Sequence, residues 1–319
     1  MTGTGALRPL VALVGPTAVG KTALALRLAD ELALEVVSAD SRQVYRYMDI
    51  GTAKPAAREQ SRVRHHLVDV VDPDESFTLA RYQQMAYAAI NDIHSRGRLP
   101  LLVGGTGLYV KAVLEGLSIP HVEPDARLRE ELLSEAATRG YQVLHDRLRE
   151  VDPLAAGRID ARNVRRVVRA LEVCYRLGQP MSSVQQAVPP PYGILRLGLT
   201  MPRELLYRRI DERVERMIAA GLVDEVRALV ARGYAYSLPA MSGLGYRQMG
   251  MYLRGEVSLD EAVALIKRHT RRFVRQQATW FRTDDPAIHW FEVGGRTSPG
   301  SEAMIRDILV RIHSLVSAS

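Results

Sequence analysis

The sequence has one cysteine, Cys174, among its 319 residues, so no internal disulfide can form. No Cys/His cluster stands at zinc-binding spacing, which excludes a structural zinc site as well. A reducing cytoplasm is the natural setting for such a chain. Long apolar runs are missing too. Stretches such as residues 10–14 and 99–103 are strand-sized, far short of the ~20 residues needed to span a bilayer. Arg8 followed by residues 10–14 could imitate a weak signal peptide, but cleavage there would cut into the glycine-rich motif that follows, so no targeting segment is expected. Internal repeats and low-complexity segments are also lacking. Lysine is scarce, with 4 Lys against 39 Arg.

What is present is the composition of a globular protein, 47% hydrophobic and 25% charged. The length suits two domains, or one domain with a large insertion. The net charge is +7, and its distribution is informative: the first 115 residues carry only +1, leaving +6 for the rest. The excess is densest at residues 267–282, where Lys267, Arg268, Arg271, Arg272, Arg275 and Arg282 meet no acid, and again at residues 158–169. A polyanionic partner is one reading, and ordinary solvated faces are the other.

Hydrophobic patterning predicts strands at residues 9–14, 35–39, 67–71 and 99–103, with helices at 22–32, 77–96 and from 108 onward. This alternation predicts an α/β core with a mostly parallel sheet flanked by helices, whose ligands sit at the C-terminal ends of the strands. After Pro120 the pattern becomes helical without strands. We therefore expect an inserted all-helical domain at 121–193, with the core formed by 1–120 and continued by 194–319. A strand at 194–199 should rejoin the sheet, followed by helices, a last strand at 288–293 and a closing helix.

Gly15-Pro16-Thr17-Ala18-Val19-Gly20-Lys21-Thr22 fits the phosphate-binding loop G-x-x-x-x-G-K-[ST] between a strand and a helix. Its backbone N–H groups would point at phosphate oxygens and Lys21 would neutralise terminal charge, while the Thr22 hydroxyl would help hold Mg²⁺. No acid follows the strand at 99–103, which counts against an ATPase or GTPase. A phosphotransferase, or a transferase with a pyrophosphate leaving group, stays open. Asp40 ends the second strand at the same sheet edge, where it could take a proton from an attacking group or cap a turn. His65 and His66 read as a packed or capping pair, and Trp280 and Phe281 as core anchors of a long helix.

The loop occurs together with Ser38-Ala39-Asp40-Ser41-Arg42-Gln43-Val44-Tyr45, residues 48–55 (MDIGTAKP), His65-His66, residues 102–109 (LVGGTGLY), Arg169-Ala170-Leu171-Glu172, Gly245-Tyr246-Arg247-Gln248 and residues 270–282. In this order the chain resembles the bacterial tRNA dimethylallyltransferase family over nearly its whole length. Only the phosphate loop is common by itself; the combination is specific.

The resemblance implies transfer of a dimethylallyl group from its diphosphate to the exocyclic amine of the adenosine 3′ of the anticodon, with Mg²⁺ as cofactor and diphosphate in a loop that can also take ATP. It makes Asp40 the general base, puts Thr106 near the reaction centre, and makes Arg209 the clamp on diphosphate, with Arg213 as second choice. It implies contacts to the tRNA anticodon stem-loop from Asp40, Ser41, Arg42, Gln43 and Thr106. Further contacts fall on Arg129, Arg165, Arg166 and Arg169 of the insertion, and on Tyr246, Arg247, Gln248, Arg271 and Arg275. The target base would have to leave its stack to be reached. A cytoplasmic monomer without membrane contact is expected. The rival reading is a small-molecule or nucleoside kinase, which would share the loop, the Asp after the second strand and an arginine clamp; the basic helices count against it. An NTP-responsive nucleic-acid-binding regulator would need a hydrolytic acid and switch loops, and neither is found.

Overall fold

The computed structural model describes residues 7–120, 122–185, 187–294 and 301–318. The chain begins β1 (Arg8–Val14), α1 (Lys21–Ala29), β2 (Leu34–Ala39), α2 (Ala57–Arg62), β3 (His65–His66), α3 (Leu79–Ser95), β4 (Leu99–Gly104) and α4 (Gly107–Glu115). Five helices without a strand follow: α5 (Ala126–Arg139), α6 (Tyr141–Val151), α7 (Pro153–Arg158), α8 (Val164–Leu177) and α9 (Met181–Val184). The chain then returns as β5 (Tyr192–Thr200), α10 (Arg203–Ala219), α11 (Leu222–Ala231), α12 (Tyr246–Leu253), α13 (Leu259–Trp280), β6 (His289–Glu292) and α14 (Glu302–Ser317). No helix among the described residues is long and apolar enough to cross a membrane.

Internal contacts divide the chain into two units, one formed by the residues up to Leu114 together with those from Pro191, the other by Glu115–Pro190. In the first unit six strands make one sheet in the order β3-β2-β4-β1-β5-β6, every pair parallel. Parallel strands covered on both faces need apolar side chains in both directions. β1 meets this need: Leu10 and Ala12 pack with Tyr82 and Ile90 of α3 on one side, Val11 and Leu13 with Leu24 of α1 and Ile308 of α14 on the other. A third cluster joins α10 to α13 with Val44, Tyr45 and Met48.

One strand differs from the sequence expectation. The third strand is His65–His66, not residues 67–71, because Leu67 and Asp69 adopt left-handed φ values of 64° and 56° that break the extended run. The histidines form a packed pair: His66 Nε2 lies 2.7 Å from buried Glu35, and His65 Nδ1 lies 2.7 Å from the Val63 carbonyl.

The inserted unit has its own core of Leu132, Leu144, Leu148, Val167 and Leu171. The apolar side chains of α8 recur at helical spacing, so one face is buried while Arg165 and Arg166 stay exposed.

Candidate active site

Strand register sets the site. Val14 of β1 pairs with Gly104 of β4, and Gly104 pairs with Ala39 of β2, so the three strands end at one level. Their following loops, 15–20, 40–43 and 105–106, therefore meet at one edge of the sheet, as expected for a parallel α/β layer. Gly15 starts the first loop at φ 141°, and a Cβ there would lie 2.5 Å from the Leu199 carbonyl oxygen of β5, so only glycine lets the chain turn here. The N-terminus of α1 has no side-chain cap and no acid in its first turn. Its N–H groups are thus available to an anion.

Lys21 curls back on the loop, its Nζ donating to the carbonyls of Gly15 and Pro16, both at 2.8 Å. Burial pulls its pKa down to about 7; nearby Asp40 opposes this and Arg213 adds to it. Arg213 of α10 donates to Thr17 Oγ1 at 3.4 Å and is likewise lowered by burial, against the pull of Asp40. The Asp40 carboxylate faces both cations through a split role. Its Oδ1 accepts from the N–H groups of Arg42 (2.8 Å) and Gln43 (3.4 Å), closing a turn, while no described residue bonds Oδ2. Thr106 Oγ1 accepts from the Ser41 N–H at 3.1 Å, which ties the β4 loop to the β2 loop.

These groups line a cavity of about 320 Å³. Lys21, Thr22, Asp40, Thr106 and Arg213 supply polar lining, and Val214, Met217, Ile266 and Phe273 supply apolar lining. Such a space suits a ligand with an anionic head and a short hydrocarbon tail. No group of three or more His, Cys, Asp or Glu able to hold a metal occurs among the described residues. Mg²⁺ commonly binds through one or two protein oxygens plus substrate phosphates. The Thr22 hydroxyl, on the cavity wall, fits that mode.

The structure distributes the other expected residues unevenly. Arg213 lines the cavity and Arg209, one turn earlier and half-buried, does not, so the arginine at the phosphate loop is Arg213. Tyr246 is 1% exposed and donates its hydroxyl to Glu225 at 2.6 Å, and Gln248 is 2% exposed, bonded to the Gly245 N–H and to His269. Both are interior residues, because α12 packs against α11 on the side of Tyr246 and against α13 on the side of Gln248; Tyr246 also lines the cavity, and only Arg247 of the trio is exposed. Arg129 and Arg169 both close on Glu172, which is fully buried. Arg271 pairs with Asp211, Arg275 donates to the Tyr207 hydroxyl, and Arg42 donates to the Pro239 carbonyl at 2.8 Å. Trp280 is 42% exposed and lies against Gly107, so it is no core anchor, whereas Phe281 is buried.

Two important side chains escape sequence reasoning. Glu225 accepts from three successive backbone N–H groups, Asp49 (3.0 Å), Ile50 (2.7 Å) and Gly51 (3.1 Å), and so holds the 48–55 segment in place. Buried Gln277 bonds both to Thr17 and to Gly105. Its signal was available: a lone amide on the buried stripe Ile266, Val274, Gln277 of an otherwise basic helix.

Residues 43–284 match the IPP transferase family model. The chain belongs to the IPP transferase family. Among IPP transferase relatives, the tRNA dimethylallyltransferase of Roseiflexus castenholzii is 58% identical over 86% of this chain and 90% of its own length. That of Dehalococcoides mccartyi is 48% identical over 95% and 93%. The crystal structure of the tRNA isopentenylpyrophosphate transferase from Bacillus halodurans superposes with a TM-score of 0.71 at 43% identity, covering 97% of both chains. A eukaryotic dimethylallyltransferase acting on tRNA gives a TM-score of 0.77 at 25% identity, over 95% of this chain and 78% of its own.

Proposed function

We propose that the protein transfers a dimethylallyl group from dimethylallyl diphosphate to the exocyclic amine of the adenosine 3′ of the anticodon in tRNA, releasing diphosphate. The observation that carries this reading is one cavity in which an anion loop, a carboxylate with a free oxygen and an apolar lining meet. The activity named for the relatives fits that combination of ligand surfaces.

In the reaction the amine nitrogen attacks the allylic carbon, the C–O bond to diphosphate breaks with its electrons, and the amine proton passes to Asp40 Oδ2. The α1 N-terminus, Lys21 and Arg213 receive the charge that develops on the leaving group. Arg213 takes the clamping role. Val214, Met217, Ile266 and Phe273 keep water from the delocalised allylic cation. Mg²⁺ held by Thr22 would supply further neutralisation of the diphosphate.

For tRNA, the exposed Arg165, Arg166 and Arg247 are the phosphate contacts we favour. Arg129, Arg169, Arg271, Arg275 and Arg42 would contribute from within their existing pairs, and Tyr246 and Gln248 by supporting Arg247. The buried thiol of Cys174 is in keeping with a reducing cytoplasm.

Incubation with labelled dimethylallyl diphosphate, Mg²⁺ and unmodified tRNA should yield label on adenosine next to the anticodon. Absence of label on RNA, with phosphate passing from ATP to a small molecule instead, would establish the kinase reading.

A further inference from the structure

Gln277 is 4% exposed, sits on α13 outside the three loops that meet at the ends of β1, β2 and β4, and lines the same cavity. Its Oε1 accepts from the Thr17 N–H at 2.9 Å and its Nε2 donates to the Gly105 carbonyl at 3.0 Å. Both ends of one rigid, planar amide are therefore used, each on a different loop. The site is shaped for this contact, since a Cβ on residue 105 would stand 2.3 Å from Nε2.

The two loops have separate tasks. Thr17 lies in the phosphate loop and takes Arg213 on its hydroxyl; Gly105 precedes Thr106, whose hydroxyl holds the backbone beside Asp40. The Thr17 N–H is engaged by Gln277. We infer that Gln277 is a positioning residue: a bar of fixed length between the loop that holds the diphosphate and the loop that sets the acceptor amine, which fixes the approach of nitrogen to the allylic carbon. This rests on the transferase reading above.

An error of about 1 Å between reacting groups can cost on the order of 10²-fold in rate. Gln277→Met keeps the length and most of the volume but loses both bonds. Single-turnover transfer at saturating substrates should fall about 10²-fold, while the Kd values for dimethylallyl diphosphate and for tRNA each stay within about threefold. Gln277→Glu keeps the acceptor toward Thr17 and regains a donor toward Gly105 only when protonated, and burial raises a carboxyl pKa. The ratio of its rate to that of the parent should therefore rise as pH is lowered from about 8.5 to about 6. Hydrogen exchange at the Thr17 amide, read by NMR, requires no transfer activity and separates this inference from the functional one. It should speed up about tenfold or more in Gln277→Met. Transfer by Gln277→Met within about threefold of the parent would overturn the inference, as would a loss matched by weaker binding of either substrate. Unchanged exchange at Thr17 would do so whatever the activity. If Gln277→Met does not fold, Gln277→Glu decides by itself: a rate ratio flat with pH overturns the bar.

Discussion

In the inserted unit, Arg129 and Arg169 close on Glu172, and the Asp125 N–H adds a third donor at 2.7 Å. Burial pushes the Glu172 carboxyl up, yet the hydrogen bonds outweigh it and the net shift is downward. At the end of β1 the balance is reversed. Lys21 and Arg213 share one nearby carboxylate, Asp40, and burial leaves both below their ordinary pKa values. Buried charge that is fully answered by its own chain builds a scaffold; buried cations left in excess form a place for an anion from outside. Arginine thus has opposite meanings in the two units: Arg129 and Arg169 are answered by the Glu172 carboxylate in direct ion pairs, whereas Arg213 shares Asp40 with Lys21.

The comparison can be broken most sharply at Asp40. Asp40→Asn keeps the turn bonds at Oδ1 but cannot take the amine proton, so single-turnover transfer should fall about 10²- to 10⁴-fold with both substrates still bound. Turnover within about threefold of the parent would leave Asp40 a turn cap and no more.

At the scaffold end, Glu172→Gln removes the charge on which both arginines converge. Because those arginines are about a third exposed and can turn to water, the loss should be about 2 kcal/mol, below the value for a fully enclosed pair. Chemical denaturation would register it, and the rate of transfer should hardly change.

Lys21 gives a third test. With its pKa at about 7 in the free protein, it is mostly neutral at pH 8, and a bound diphosphate should restore its charge. Binding of dimethylallyl diphosphate at pH 8 should then take up about one proton, and almost none at pH 6. Calorimetry in buffers of different ionisation enthalpy measures this, and Lys21→Met should abolish it. The stability of the free protein carries the same sign: the folded state binds fewer protons than the unfolded state between about 7 and 10.5, so the Lys21 contribution rises with pH across that window.

The smallest effect belongs to the surface. Replacing Arg165 and Arg166 by alanine should reduce the salt dependence of tRNA binding by about one to two units of log–log slope. An unchanged slope would remove the exposed face of α8 from the tRNA surface.

What could be read without coordinates was local. The phosphate loop is legible because glycines stand at fixed spacing between a strand and a helix, and Gly15, Ala18 and Gly20 take positive φ within those eight residues. The strands β1, β2, β4, β5 and β6 announced themselves as short apolar runs, and a change from mixed to purely helical patterning marked the insertion. The third strand was misplaced because left-handed backbone at Leu67 and Asp69 has no side-chain signature. Which partner each side chain meets was decided only in three dimensions. Arg209 and Arg213 share a helical stripe one turn apart, and the register of α10 against the loop puts Arg213 into the cavity. Tyr246 and Gln248 carry polar groups that sequence alone assigns to a surface. They are interior because Glu225 and His269, 21 residues from them in either direction, satisfy those groups. Gln277 reaches Thr17 across 260 residues and Gly105 across 172. Backbone conformation follows from neighbours in the chain, whereas the pairing of buried polar atoms follows from packing between distant segments, and that packing chose the residues that meet at this site.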